Sequence, residues 1–255
     1  MNLFDTHCHL DVPAFDADRD AVMQACLEQG ITRILVPGIL QSTWNSLLSL
    51  CADNDMLLPA LGLHPVYINS HQPEDITALA AQLEKSRPVA VGEIGLDFYI
   101  EDPDKPAQLA LCQAQFEVAQ SFDLPVVLHV RKAHEDMLRL LKPMSLRGGI
   151  VHAFNGSLQQ AERYLALGFK LGFGGTMTYE NAAKIHHLAR ELPLEAIVLE
   201  TDAPDMVVAQ HRGERNSPVY LRLCLDALAE LRETDATTVA KQTTMNANQA
   251  LGLSE

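Results

Sequence analysis

Eight short apolar runs recur along the whole chain, and amphipathic stretches fill the gaps between them. The runs are Leu3 to His7, Ile31 to Gly38, Leu57 to Gly62, Val89 to Ile94, Pro125 to His129, Gly149 to His152, Lys170 to Gly174 and Ala196 to Glu200. Runs of this length read as strands, and near-continuous apolar character suits a parallel sheet buried on both faces. The gaps carry helix punctuation. Asp18 to Gln29 closes on Gly30, and Ser42 is placed to cap a helix carrying Trp44, Leu47, Leu48 and Cys51. Pro73 opens a helix with Ile76, Leu79, Ala80 and Leu83 at helical spacing. Ser157 starts another that stops at Gly168, and Ser217-Pro218 starts one running to about Glu233. Alternation without a Pro/Gly/Ser-rich linker predicts one α/β domain over residues 1–255, a TIM (β/α)8 barrel. A doubly wound open sheet is the competing architecture. The segment Ala203 to Asn216 is the least regular, long for a loop between strand and helix, and reads as functional.

In such a barrel the active site lies at the C-terminal ends of the strands. Of the ten histidines, His7, His9, His64, His129 and His152 fall at or just past a strand end. His71, His134, His186, His187 and His211 lie in helices or loops and read as solvated. Two acids join the first set: Glu93 ends the fourth run and Asp202 follows the eighth. His7 and His9 stand one residue apart, so on a strand both imidazoles share a face. A single strand-end histidine is ordinarily a packed or capping residue. Six ligand-type residues at five strand ends on one rim instead predict a metal site.

The set suits two cations. His7, His9 and Asp202 are expected to hold one, His129 and His152 the other, and Glu93 has two carboxylate oxygens with which to bridge them. Two divalent metals about 3.5–4 Å apart can bind the attacking water, polarise the bond under attack and stabilise the leaving oxygen. Asp202 and Glu93 are the expected catalytic acids, with Asp202 placed as general base. Mixed imidazole and carboxylate donors leave zinc, manganese and magnesium open. Cys8, between the two histidines but on the opposite face, reads as a core thiol.

Composition narrows the partners. A formal net charge of −14 argues against a basic surface that grips nucleic acid by counterion release, and favours a short or terminal substrate over a long nucleic acid. The first ten residues lack a basic segment followed by a long apolar one, so no secretory signal is expected. No apolar stretch approaches the ~20 residues of a membrane span. Five scattered cysteines without a CxxC read as buried thiols of a cytoplasmic protein. No obligate protein partner is evident.

Asp5-Thr6-His7-Cys8-His9-Leu10, Gly62-Leu63-His64-Pro65 and Gly92-Glu93-Ile94-Gly95-Leu96-Asp97 resemble the motifs of the TatD-type metal-dependent deoxyribonucleases. So do Pro125-Val126-Val127-Leu128-His129, His152-Ala153-Phe154-Asn155-Gly156-Ser157 and Glu200-Thr201-Asp202-Ala203-Pro204, in the family's order. The resemblance implies a TIM barrel of the amidohydrolase-like hydrolases, with His7, His9, Glu93, His129, His152 and Asp202 as ligands. It implies that His64 serves the substrate pocket, and that the enzyme is cytoplasmic and takes nucleotides from DNA ends with magnesium or another divalent cation. Two stretches differ from the family's usual pattern, Val130-Arg131-Lys132 and Asp205 to Gln210. Both fall where a substrate is met.

Arg131, Arg212 and Arg215 are the candidate cations for a substrate phosphate, because a guanidinium binds its oxygens in a fork. Asn155, with Gly156 and Ser157, lies where strand six turns into a helix and its backbone N–H groups can face an anion. Asp5 and Glu200 are candidates to orient a ligand from behind, and Asp97 lies on the same rim. The leading reading is a divalent-metal-dependent phosphodiesterase acting on DNA ends or short oligonucleotides. The alternative is a barrel hydrolase of a small cyclic amide, lactone or phosphotriester. Such relatives often bridge their metals with a strand-end lysine, where this chain offers Glu93. A ligand-binding barrel without catalysis is the remaining alternative.

Overall fold

The computed structural model describes residues 2–254. Eight parallel strands hydrogen-bond in chain order. They are β1 (Leu3–Asp5), β2 (Ile31–Pro37), β3 (Leu57–Leu61), β4 (Ala90–Asp97), β5 (Val126–Arg131), β6 (Gly149–Val151), β7 (Phe169–Phe173) and β8 (Ile197–Leu199). The sheet closes just beyond its two outer strands. Thr6 N–H donates to the Leu199 carbonyl at 3.0 Å, Asp202 N–H to that of His7 at 2.8 Å, and His9 N–H to that of Ala203 at 2.8 Å. The result is the TIM barrel that the alternation predicts.

The helices are α1 (Arg19–Glu28), α2 (Trp44–Ala52), α3 (Glu74–Ser86), α4 (Lys105–Ser121), α5 (His134–Leu141), α6 (Leu158–Ala166), α7 (Ala183–Glu191), α8 (Leu221–Leu231) and α9 (Ala236–Leu251). Ser157 caps α6 in a full capping box with Gln160, and α6 runs out before Gly168, whose φ is 84°. Two expected starts move. Ser42 caps nothing, because Gln41–Thr43 forms a turn of 3-10 helix ahead of α2. Ser217 caps the 3-10 turn Pro218–Tyr220, which then leads into α8. β1 stops at Asp5 rather than His7, while β4 and β5 run three and two residues further than expected.

Inside the barrel, Phe4, Leu35, Ala60, Ala90, Val127, Ile150 and Val198 pack together with Ala247, Ala250 and Leu251 of α9. That helix floors the barrel at the N-terminal ends of the strands. Its Asn246 amide donates to the Leu194 and Ile197 carbonyls at 2.8 and 2.7 Å, and Arg33 donates to Asn248 at 2.6 Å. Asp235 caps it by accepting from Thr238 N–H at 2.9 Å. With the floor sealed, the opposite mouth carries the polar residues. All five cysteines are buried and free, Cys8 among them in the apolar core.

Candidate metal centre

His7 and His9 lie beyond the end of β1, on either side of Cys8, which pairs with Ala203 in an isolated parallel bridge. The extended path therefore continues, both imidazoles share a side, and their Nε2 atoms are 3.3 Å apart. Glu93 sits within β4 and is only 2% exposed. Its Oε2 lies 3.1 Å from His7 Nε2 and 3.4 Å from His9 Nε2. Its Oε1 lies 2.9 Å from His129 Nδ1, 3.2 Å from His64 Nε2 and 3.9 Å from His152 Nε2. One carboxylate faces five imidazoles, divided between its two oxygens. Asp202 closes the ring, with Oδ1 3.7 Å from both His7 and His9 and Oδ2 3.7 Å from His152.

Three sets of donor atoms lie within 4.8 Å of one another: His7, His9 and Asp202; His7, Glu93 and His152; and His64, Glu93 and His129. The first is the set expected for one cation. The second expected pair, His129 and His152, faces Glu93 Oε1 from 2.9 and 3.9 Å. His152 stacks on His7 at 3.6 Å, while the His129 and His152 ring centroids are 6.2 Å apart. His129 also groups with His64 and Glu93, which brings a residue expected to meet substrate to ligand distance.

The donor chemistry fits divalent metal. A neutral imidazole nitrogen carries at most one proton, yet His7 Nε2 faces another imidazole nitrogen and two carboxylates at once. Only added positive charge satisfies that convergence. Burial, reinforced by His152, holds His7 well below the ordinary histidine range, leaving the neutral form that ligates. Burial opposes charge on His9 and His152 too, yet Glu93 pushes His9 up to about 9, and Glu200 and Asp202 push His152 up to about 10. Burial raises Glu93, but His64 and His7 hold it well below the usual carboxylate range. Burial pushes Asp202 up to about 6 against the pull of His152 and His9. The protons drawn to this cage answer the same demand that a cation would.

A second ring of groups fixes the cage. Asp97 Oδ2 lies 2.9 Å from His129 Nε2, leaving Nδ1 toward Glu93. Glu200 Oε1 lies 3.1 Å from His152 Nδ1 and accepts from Ala153 N–H at 2.7 Å. Gly172 permits this, since a Cβ there would stand 2.1 Å from a Glu200 oxygen. Asp5 acts on backbone rather than on an imidazole: it accepts from His7 N–H at 3.2 Å, Thr201 N–H at 3.0 Å and the Thr201 hydroxyl at 2.6 Å. Three buried amides escaped the sequence reading. Gln108 pairs with both backbone groups of Asp97 at 2.8 and 3.0 Å, and Gln115 with both of Leu63 at 2.7 and 3.1 Å. Asn216 ties the Thr201 and Asp205 carbonyls together at 2.8 and 2.6 Å. A glutamine on an amphipathic helix reads as surface unless its backbone partner is known.

Two adjoining clefts of about 400 and 290 Å3 open over the cage and share His129, Arg131, His152, Asp202 and Asp205. Of the substrate candidates, His64 and Arg131 line them, as does Asn155, whose amide is engaged with His134 at 3.3 Å and the Ala153 carbonyl at 3.1 Å. Arg212 is exposed and lines neither cleft. Arg215 is committed elsewhere: it grips both oxygens of Asp18 at 2.9 and 2.7 Å and lies over Phe15. That partner stands 197 residues away in sequence, which is why the arginine read as free. His134, set aside as solvated, is buried against Tyr164. Lys132 follows the extended β5 but lines neither cleft.

Barrel and cage together define a metal-dependent hydrolase. The chain matches the model of the TatD related DNase family over residues 4–252. It is 41% identical to the metal-dependent hydrolase YjjV of Escherichia coli K12, over 93% of each chain. The solved structure of that TatD homologue superposes with a TM-score of 0.95 at 38% identity, covering 99% of this chain and 98% of the other. The 3'-5' ssDNA/RNA exonuclease TatD of Erwinia tasmaniensis is 32% identical over 98% of this chain and 100% of its own. The chain belongs to the TatD family. No helix among the described residues is long and apolar enough to cross a membrane.

Proposed function

We propose that this protein is a divalent-metal-dependent phosphodiesterase that removes nucleotides from DNA ends or short oligonucleotides. The observation that carries this reading is Glu93, one carboxylate shared between two groups of ligand atoms beneath a cleft lined by Arg131. The name of the Erwinia relative supports a phosphodiester substrate. When bound, two divalent cations supply Lewis-acid activation of water and neutralise the phosphate under attack; magnesium, manganese and zinc all suit the donors.

His7, His9, Glu93, His129, His152 and Asp202 would hold these ions, and Glu93 offers one oxygen to each side of the cage. Asp202 is 15% exposed where Glu93 is 2% exposed, so it is the acid that meets water and takes its proton on a carboxylate oxygen. Arg131 binds a phosphate oxygen. Its side chain is exposed, and its guanidinium lies over the Tyr99 ring, 3.9 Å from the centroid. His64 steadies a second phosphate oxygen from the wall of the smaller cleft. As the new bond from water to phosphorus forms, the bond from phosphorus to the departing nucleoside oxygen breaks. Free, buried cysteines support a cytoplasmic setting.

The test is turnover of single-stranded oligonucleotides, dinucleotides, a simple phosphodiester and a panel of cyclic amides and lactones, each with magnesium, manganese and zinc. Release of nucleotides from oligonucleotide ends is the expected result. Turnover confined to amides or lactones overturns the reading.

A further inference from the structure

The mouth is ringed by apolar side chains that the fold leaves uncovered. Among the described residues, five large apolar side chains are exposed; Val66, Tyr67 and Met206 line the clefts over the cage, and Tyr99 lies against Arg131, which lines both. Val66 and Tyr67 line the smaller cleft with His64 and Glu93, and Met206 lines the larger with His152. An apolar collar around a site built for anions marks a ligand with both characters.

Tyr99 is the most exposed of the five at 58%, and its backbone is anchored to the cage. Its N–H donates to Asp97 Oδ1 at 2.9 Å, and Asp97 Oδ2 in turn positions His129. One ring face is covered by the Arg131 guanidinium, 3.9 Å from the centroid. The same guanidinium lines both clefts. An exposed aromatic ring with a cation over one face is the arrangement on which unpaired bases stack.

Resting on the phosphodiesterase reading above, we infer that Tyr99, stacked on Arg131, is a platform for the unpaired nucleobase next to the scissile phosphate, with Tyr67 and Met206 completing the collar. Specificity is then for single-stranded ends, since a paired base cannot leave its stack without cost.

The experiment compares a single-stranded DNA oligonucleotide with one whose terminal nucleotides carry tetrahydrofuran in place of the base. Each is assayed with manganese on the unaltered protein, Tyr99→Leu and Tyr99→Phe. Removing the bases is expected to lower kcat/KM of the unaltered protein roughly tenfold, chiefly through KM, in line with the worth of one base–aromatic stack. Tyr99→Leu should show the same loss on the normal oligonucleotide and no further loss on the base-free one, while Tyr99→Phe restores the difference. Equal cutting of both oligonucleotides by the unaltered protein, or additive losses in Tyr99→Leu, overturns the platform and leaves the phosphodiesterase reading standing. Failure of the unaltered protein to cut either, with turnover of another class, overturns both.

Discussion

The two ends of this barrel solve opposite problems. The floor is made of small side chains and satisfied amides: Ala247 and Ala250 fit under the interior layer, and Asn246 caps two carbonyls. The mouth concentrates groups that the protein alone leaves unsatisfied. Buried Nδ1 of His7 and His9 and Oε2 of Glu200 have no hydrogen-bond partner among the described residues. Backbone follows the same division. Left-handed residues at the floor are helix stops, such as Arg87 and Gly252, whereas at the mouth they include Asp202 and Ala153, the latter next to His152. Stability is stored at one end, and the tension that a ligand relieves is gathered at the other.

That division can be broken most sharply at Glu93. Glu93→Ala should remove several kcal/mol of transition-state stabilisation, beyond roughly a thousandfold in turnover, and lower bound metal measured by atomic emission. Full activity in that variant would refute the bridging role. At the floor, Leu251→Ala should cost about 2–5 kcal/mol in urea unfolding while kcat/KM and metal content stay constant. A fall in metal content would mean that the ends are coupled. His64→Ala sharpens the boundary within the mouth: a rise in KM of roughly 10- to 100-fold at constant metal content is expected from loss of a charge-assisted contact. Loss of metal would make His64 a ligand, as its place beside Glu93 and His129 also permits. The smallest effect belongs to Arg87, which ends α3 at φ 47°. Arg87→Gly should raise stability by roughly 0.5–1 kcal/mol, read from the denaturation midpoint, with turnover unchanged.

The barrel was legible because its strands are buried on both faces and its helices carry end signals. The cage was legible because the fold sends every strand end to one mouth, so His7, Glu93, His129, His152 and Asp202 could be placed without coordinates. What escaped was whatever depends on distant partners. Arg215 looked free until Asp18 stood beside it. Helix α9 buries Thr243, Asn246 and Asn248 beside its alanines, a face without the apolar stripe that marks a core helix. His64 also escaped as a neighbour of the cage: its Nε2 stands 3.2 Å from Glu93 Oε1, beside His129, a closeness that its place in the loop after β3 does not announce.

Helix α4 works as a ruler. Gln108 and Gln115 sit two turns apart on it, one holding the main chain of Asp97 and the other that of Leu63, the neighbour of His64. Because both grips fall on peptide groups, they are indifferent to which side chains those positions carry. The loops that follow β3 and β4 can therefore lengthen, shorten or change their aromatic content while the distance between the two strand tips stays fixed. The rim of the mouth is in this way uncoupled from the spacing of the side chains beneath it.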